Sequence, residues 1–233
     1  MTGTKHGLHG GQGVMLALDV YSIDQAKALL ERTAPFIAAI KIGWTLMVGC
    51  PEGPRIVESI AKLTSLPILV DTKILDAPHI AKRMIALFRD QGASAVTMWA
   101  SAGPKTVSAC MEEFPEIDLF LLTALTAAES LQASDSISSA LATANLCGCK
   151  NLQVPGNYPN LVRSVRQQVG ESACLVACGI GAQGGEPGDA AEAGADYEIV
   201  GRNIYEAPDP TAVAKEYRDL ILRNTKTRAG GVP

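Results

Sequence analysis

Two carboxylates and a lysine fall within six residues at Asp71-Thr72-Lys73-Ile74-Leu75-Asp76. The run ahead of them, Leu66-Pro67-Ile68-Leu69-Val70, is short, partly β-branched and apolar throughout, as a strand buried on both faces should be. Side chains at i and i+2 of an extended chain point the same way, with Cα atoms roughly 6.5 Å apart. Asp71 and Lys73 are therefore expected to stand together at the end of a buried strand. A lysine beside carboxylates keeps its proton, which suits an acid or an electrostatic anchor. Asp76 follows at the start of a helix. Taken alone, the stretch reads equally well as a structural ion pair followed by a capping Asp.

Other strand ends shift that balance. Val14 to Leu18 reads as a strand ending at Asp19, and the run from Phe36 to Ile40 ends at Lys41-Ile42-Gly43. In a parallel barrel these are the first two strands and Asp71-x-Lys73 closes the third, so four groups of alternating sign converge. Removing four charges from water is costly unless each is paired, and the alternation supplies the pairs. A second cluster follows the seventh strand-like run, Cys174 to Cys178. It is Gly179-Ile180-Gly181-Ala182-Gln183-Gly184-Gly185, with Gly201-Arg202 after the eighth run, Tyr197 to Val200. Glycines let the backbone approach a ligand closely, and loops after strands seven and eight of such barrels often bind phosphate. Arg202 offers a bidentate fork to phosphate oxygens and Gln183 a neutral donor.

The elements that position these groups alternate along the chain. Ser22-Ile23-Asp24-Gln25 has capping-box form and opens the first helix. Pro51 to Leu63 reads as the second helix, with Ile56, Ile60 and Leu63 on one side. Asp76-Ala77-Pro78 opens the third, with Asp76 as candidate cap. Ala95 to Trp99 is strand four, Pro104 to Phe114 helix four, and Leu119 to Leu122 strand five. A helix within Ser134 to Leu146, strand Asn151 to Val154 and helix Pro159 to Val169 follow. A short helix, Asp189 to Ala193, precedes strand eight, and Asp209-Pro210 opens the last helix. Eight strand–helix units without a composition shift predict a single (β/α)8 TIM barrel over residues 14–223, with an open doubly wound sheet as the runner-up. Residues 1–13, including His6 and His9, read as a flexible tail, as do 224–233.

Composition fits that fold. The 233 residues are 47% hydrophobic and 19% charged, which provides for a large core. Only 5% are aromatic and the net charge is −4, which argues against nucleic-acid binding. No apolar run reaches membrane-spanning length and the N-terminus has no signal-peptide pattern, so a soluble cytoplasmic protein is expected. The cysteines at 50, 110, 147, 149, 174 and 178 show no zinc-ligand spacing and read as small core residues. No metal or cofactor motif is visible.

These pieces together resemble the orotidine 5′-phosphate decarboxylase family, in its shorter archaeal form. The resemblance rests on Leu16-Ala17-Leu18-Asp19, Lys41-Ile42-Gly43, Asp71-x-Lys73-x-x-Asp76, Gly181-Ala182-Gln183-Gly184-Gly185 and Ile199-Val200-Gly201-Arg202. It implies cofactor-free, metal-free decarboxylation of orotidine 5′-monophosphate to uridine 5′-monophosphate, with Lys73 protonating C6 and Asp71 against the departing carboxylate. It implies that Lys41 and Asp19 hold the ribose and orient the charges. Gln183 and Arg202, with Gly181, Gly184 and Gly201, would bind the 5′-phosphate. Ile180 would line the base pocket and Thr126 contact the base. It also implies a homodimer in which Asp76 reaches the partner's site. Ile80 stands where the family commonly has Thr, Trp99 where His is common, and Thr126 where Ser is usual.

Two rivals remain at this stage. A sister group resembling 3-keto-gulonate 6-phosphate decarboxylase and hexulose 6-phosphate synthase shares Asp-x-Lys-x-x-Asp but uses Mg²⁺. Those enzymes typically carry an acid where Lys41 stands, and a lysine there repels a divalent ion. The other rival is a non-catalytic phosphometabolite-binding barrel, since a fold alone does not give a function.

Overall fold

The computed structural model describes residues 7–127 and 134–230, without the side chains of 134, 135 and 226–230. His6 and the outermost residues of both expected tails lie outside the described residues. Eight parallel strands close into one barrel in sequence order, β1 through β8. They are β1 (Gly13–Ala17), β2 (Ala39–Gly43), β3 (Ile68–Ile74), β4 (Ala95–Trp99), β5 (Asp118–Leu122), β6 (Asn151–Pro155), β7 (Cys174–Cys178) and β8 (Tyr197–Val200). The main helices are α1 (Ile23–Thr33), α2 (Trp44–Gly49), α3 (Ile56–Ala61), α4 (Pro78–Asp90), α5 (Pro104–Glu113), α6 (Ser134–Cys147), α7 (Pro159–Val169), α8 (Asp189–Glu192), α9 (Arg202–Tyr205) and α10 (Pro210–Gly230).

Strand alternation sorts the apolar residues into two buried layers. Leu16, Ile40, Val70, Val96, Leu121, Val154 and Leu175 point outward and meet the helices, including Ala26 and Leu30 of α1 and Ile85 of α4. Met15, Ala39, Leu69, Ala95, Phe120, Val176 and Tyr197 point inward and fill the lower barrel. The same inward alternation, continued toward the strand C-termini, turns polar at Lys41, Asp71, Thr97, Gln153 and Cys178. The apolar plug thus ends where the cavity begins.

Several boundaries depart from the sequence reading. Phe36 lies in a short 3-10 turn, Ala34–Phe36, and β2 starts three residues later, so Lys41 and Gly43 are inside the strand. The helix expected from Pro51 to Leu63 is broken into α2, a 3-10 turn at Gly53–Arg55 and α3. Pro54 lacks an amide hydrogen and Gly53 adopts φ 56, which interrupts a continuous α-helical ladder. Leu63 is then exposed rather than on the buried side. Ser22 caps α1, accepting the Gln25 amide at 3.2 Å, but the Gln25 side chain accepts from Tyr21 N rather than from Ser22.

Both tails are more ordered than expected over the described residues. Leu8 is fully buried beneath the barrel, donating its amide to Asp118 Oδ2 at 2.8 Å and accepting from the Tyr197 hydroxyl at 3.0 Å. His9 Nε2 lies 3.9 Å from Asp118 Oδ1. At the other end, α10 continues to Gly230, with Asp209 Oδ1 accepting from Thr211 N at 3.0 Å and Ala212 N at 3.3 Å to cap its start. Each of the six cysteines is a free thiol.

Candidate active site

The site lies at the C-terminal ends of the strands. Asp71 is its centre. It is 4% exposed, and both its oxygens accept from Lys73 Nζ at 2.9 Å. Thr97 Oγ1 donates to Asp71 Oδ1 at 2.9 Å, and Lys41 Nζ lies 3.7 Å from Asp71 Oδ2. Lys41 also reaches both oxygens of Asp19 at 3.2 Å. The four charges form one chain, Asp19–Lys41–Asp71–Lys73, with the sign alternation expected from the sequence. Gly43 gives it room: a Cβ there would lie 3.2 Å from Asp19 Oδ1 and 3.4 Å from Lys41 Nζ.

Burial works against charge on Asp71, but Lys41, Lys73 and the Thr97 hydroxyl outweigh it and hold the carboxyl below its ordinary range. Burial likewise works against charge on Lys41, and Asp71 and Asp19 outweigh it, so the lysine keeps its proton above its ordinary range. Asp71 and Lys41 are therefore each held ionised by their neighbours.

Asp71 and Lys73 share the cavity for a reason other than plain alternation. The β3–β4 register runs Leu69↔Ala95 and Val70↔Val96, then jumps to Ile74↔Met98. Four steps on β3 thus match two on β4. Lys73 sits in this bulge at φ 52, the one non-glycine residue with positive φ among the described residues. Its amide donates to Thr97 Oγ1 at 2.9 Å, so one threonine holds both the backbone of Lys73 and the carboxylate of Asp71. Bulges of this kind re-aim side chains next to functional sites.

A cavity of about 250 Å³ opens above the network and is lined by Asp19, Lys41, Asp71, Lys73, Thr126, Ile180, Gln183, Gly201 and Arg202 among others. Opposite the charges, the loop after β7 is tied to itself. Gly181 N donates to Gly185 O at 2.6 Å, Gly184 N to Gly181 O at 2.8 Å and Gly185 N to Gly179 O at 3.0 Å. Gly181 and Gly184 adopt φ 72 and 92, which this turn requires of them, and they shape the loop rather than line the cavity. The amides of Ala182 and Gln183 have no hydrogen-bond partner among the described residues. Thr126 Oγ1 donates to Gln183 Oε1, joining the loops after β5 and β7 over the cavity. Arg202 stands exposed at the start of α9, with Nη2 3.5 Å from Ala182 O. One end of the cavity thus carries four fixed charges, and the other carries a guanidinium, unpaired amides and a side-chain amide.

One expected site residue lies apart. Asp76 is exposed, does not line the cavity, and its Oδ1 accepts from Ala77 N at 2.7 Å. It does not cap α4, whose N-cap position is Ala77, without a side-chain bond. The lining or supporting residues not anticipated include Thr97, Gln153 and Cys178. Gln153 is 2% exposed and its Oε1 has no hydrogen-bond partner among the described residues. The signal for Thr97 and Gln153 was a polar residue inside a strand otherwise buried on both faces. Cys178 looks like any small core residue, and the sequence offered no sign of its place in the cavity wall.

The description "Orotidine 5′-phosphate decarboxylase / HUMPS family" belongs to a family model that matches residues 12–217. Orotidine 5′-phosphate decarboxylase of Pyrococcus abyssi is 34% identical over 209 residues, covering 89% of this chain and 98% of that protein. The Thermococcus kodakarensis protein of the same name is 32% identical over 210 residues, covering 90% and 96%. The crystal structure of orotidine 5′-phosphate decarboxylase from Pyrococcus horikoshii OT3 superposes with a TM-score of 0.81 at 30% identity, covering 90% of this chain and 99% of that one. The match runs through all eight strands and the four-charge network, and the chain belongs to the orotidine 5′-phosphate decarboxylase / HUMPS family.

Proposed function

We propose that this protein decarboxylates orotidine 5′-monophosphate to uridine 5′-monophosphate in pyrimidine biosynthesis, without a cofactor, as a cytoplasmic homodimer. The observation that carries the reading is the Asp19–Lys41–Asp71–Lys73 chain facing a phosphate-ready loop across one cavity. Arg202, Gln183 and the free amides of the Gly-rich loop take the 5′-phosphate. Ile180 packs on the base and Thr126 contacts its edge. Asp19 and Lys41 hold the ribose. The C6–carboxylate bond breaks, its electron pair stays at C6, and CO₂ leaves. The Lys73 ammonium faces that carbon, stabilises the growing negative charge and delivers its proton, which solvent later restores. Asp71 beside the substrate carboxylate raises the energy of the bound ground state.

Lys41 also favours this reading over the Mg²⁺-dependent sister reactions. Its ammonium sits between Asp19 and Asp71, where a divalent ion would need those carboxylates for itself. For assembly, the support is on the rim. Tyr21, Trp44 and Leu75 follow three adjacent strand ends and are 70%, 48% and 58% exposed. Apolar side chains so placed suit burial against a second copy, which would bring Asp76 to the partner's cavity. No helix among the described residues is long and apolar enough to cross a membrane.

The test is to mix the protein with orotidine 5′-monophosphate and follow ultraviolet absorbance, with and without EDTA. Conversion to uridine 5′-monophosphate that EDTA does not slow is expected; no conversion by folded protein contradicts the reading. For the dimer, mixed Lys73→Ala and Asp76→Ala subunits should regain activity that neither has alone. Demonstrated heterodimers without rescue would remove Asp76 from the partner's site.

A further inference from the structure

We infer that Glu198 is a positioning residue for phosphate capture: its buried carboxylate clasps the far root of the Gly-rich loop, and a proton gained there loosens the loop. This rests on the proposed decarboxylase reading, in which that loop takes the 5′-phosphate.

Glu198 lies on β8 between inward-facing Tyr197 and Ile199, so its side chain leaves the barrel outward, beneath α8. It is fully buried. Gly188 N donates to Oε1 at 3.1 Å and to Oε2 at 2.9 Å, and Ala191 N donates to Oε1 at 2.9 Å. Gly188 is gripped from its other side as well, its carbonyl accepting from Asn224 Nδ2 of α10 at 3.0 Å. A Cβ on Gly188 would lie 2.6 Å from that nitrogen. Gly188 is where the loop that leaves β7 becomes α8, so β7 fixes one root of the Gly-rich turn and Glu198 with Asn224 fixes the other.

The same region braces the loop after β8. Asn203, next to Arg202, lies so close to Gly181 that a Cβ there would be 2.6 Å from it, and it donates to the Tyr217 hydroxyl at 2.8 Å. Tyr217 feels the charges of Glu216, Glu186 and Glu198. Glu198 therefore stands behind both phosphate loops without touching the cavity.

A carboxylate that only terminated a short helix would serve equally well in either state of its neighbours. This one is poised to change. Among the described residues no cationic side chain comes within ion-pair reach of it. Burial raises its pKa most, the amides of Gly188, Ala191 and Ala190 lower it, Asp189 at the start of α8 raises it, and the balance lies at about 7. Tyr217 faces it from α10, with Glu186 of the loop beyond. Ionised, it accepts three hydrogen bonds from two backbone amides. Protonated, one oxygen becomes a donor pointed at amide donors; the amides lower the pKa that burial raises, so a carboxyl released from them but still buried holds its proton more tightly, and protonation favours the released loop while the chain as a whole stays folded.

The experiment measures KM for orotidine 5′-monophosphate and kcat at about pH 6 and about pH 8.5 for the wild type, Glu198→Gln and Asn224→Ala. The ionisation of the substrate phosphate is common to all three and cancels in ratios. Glu198→Gln, neutral at both values, should raise KM about three- to tenfold at the higher pH and leave it nearly unchanged at the lower, with kcat within about twofold. Asn224→Ala should raise KM by a similar factor at both. Affinity for uridine, which lacks the phosphate, should not respond. A KM ratio independent of pH, a parallel fall in kcat, or an equal effect on uridine overturns the inference. Should Glu198→Gln not fold, hydrogen exchange on the wild type decides. The Gly188 and Ala191 amides should lose protection below about pH 7, relative to intrinsic exchange, and constant protection overturns the clasp. Wild-type protein that turns over no substrate at either pH refutes the decarboxylase reading instead, while the exchange measurement still tests the clasp.

Discussion

Replacing Lys73 with glycine should leave a more stable protein than replacing it with alanine. Both variants remove the ammonium, and in both Asp71 keeps Thr97 at 2.9 Å and Lys41 at 3.7 Å, so that loss is shared. They differ in the backbone. Lys73 holds φ 52, where a residue with a Cβ pays about 1–2 kcal/mol and glycine nothing comparable. Against this, glycine loses roughly 0.5–1 kcal/mol more conformational freedom on folding. The net is about 0.5–1 kcal/mol in favour of glycine, or about 1–4 °C in melting temperature at this chain length. Thermal and urea melts of the two variants, compared at equal m, read it directly. In an ordinary strand the order is reversed, so alanine matching or exceeding glycine would refute the claim that the bulge stores strain at Lys73. The strain has a consequence for the site. The threonine and the shifted ladder hold Lys73 where its ammonium points at the cavity.

Other consequences follow from the same geometry. Arg202→Ala should raise KM for orotidine 5′-monophosphate about ten- to hundredfold with a smaller change in kcat, as loss of one charge-assisted contact to phosphate predicts; a fall confined to kcat would contradict its assignment. Leu8→Ala should destabilise the fold by about 2–4 kcal/mol, because Leu8 closes the bottom of the barrel rather than trailing from it; an unchanged melting temperature would restore the tail reading. The pH dependence of stability should carry the mark of Glu198. Its folded pKa of about 7 lies above the ordinary 4.5, so the folded state binds more protons in that window and stability falls as pH rises through it. The shift corresponds to roughly 3 kcal/mol, and Glu198→Gln should flatten that stretch of the curve. Asp71, lowered from 3.8, contributes stability above that value and loses it as pH falls through its folded pKa; Lys41, raised from 10.5, contributes below that value and loses it as pH rises through its own. Neither titrates within the Glu198 window.

The barrel was legible because its strands are short apolar runs that end in charge, and Ala95–Trp99, Cys174–Cys178 and Pro159–Val169 fall where the pattern puts them. Asp19, Lys41, Asp71 and Lys73 were legible as strand-end residues of alternating sign. What failed to show was long-range or conformational. Leu8 looks like part of a polar tail until Tyr197 and Asp118, over a hundred positions away, supply its partners. The β3 bulge leaves no local mark, since Lys73 is neither glycine nor asparagine. The Pro51–Leu63 break was written in Gly53 and Pro54 but masked by the spacing of Ile56, Ile60 and Leu63. Glu198 sits in a run that reads as a plain buried strand, and its amide partners, Gly188 and Ala191, lie ten and seven residues earlier at the start of α8.

The central claim is that Lys73 carries the chemistry, and the most direct measurement is the turnover of orotidine 5′-monophosphate by Lys73→Ala beside the wild type. Both should first be shown folded by their melts and able to bind uridine 5′-monophosphate. The account predicts a fall in kcat of at least about a thousandfold, the scale of losing a preorganised charge at the reacting carbon together with its proton. Near-normal turnover by the alanine variant would contradict it.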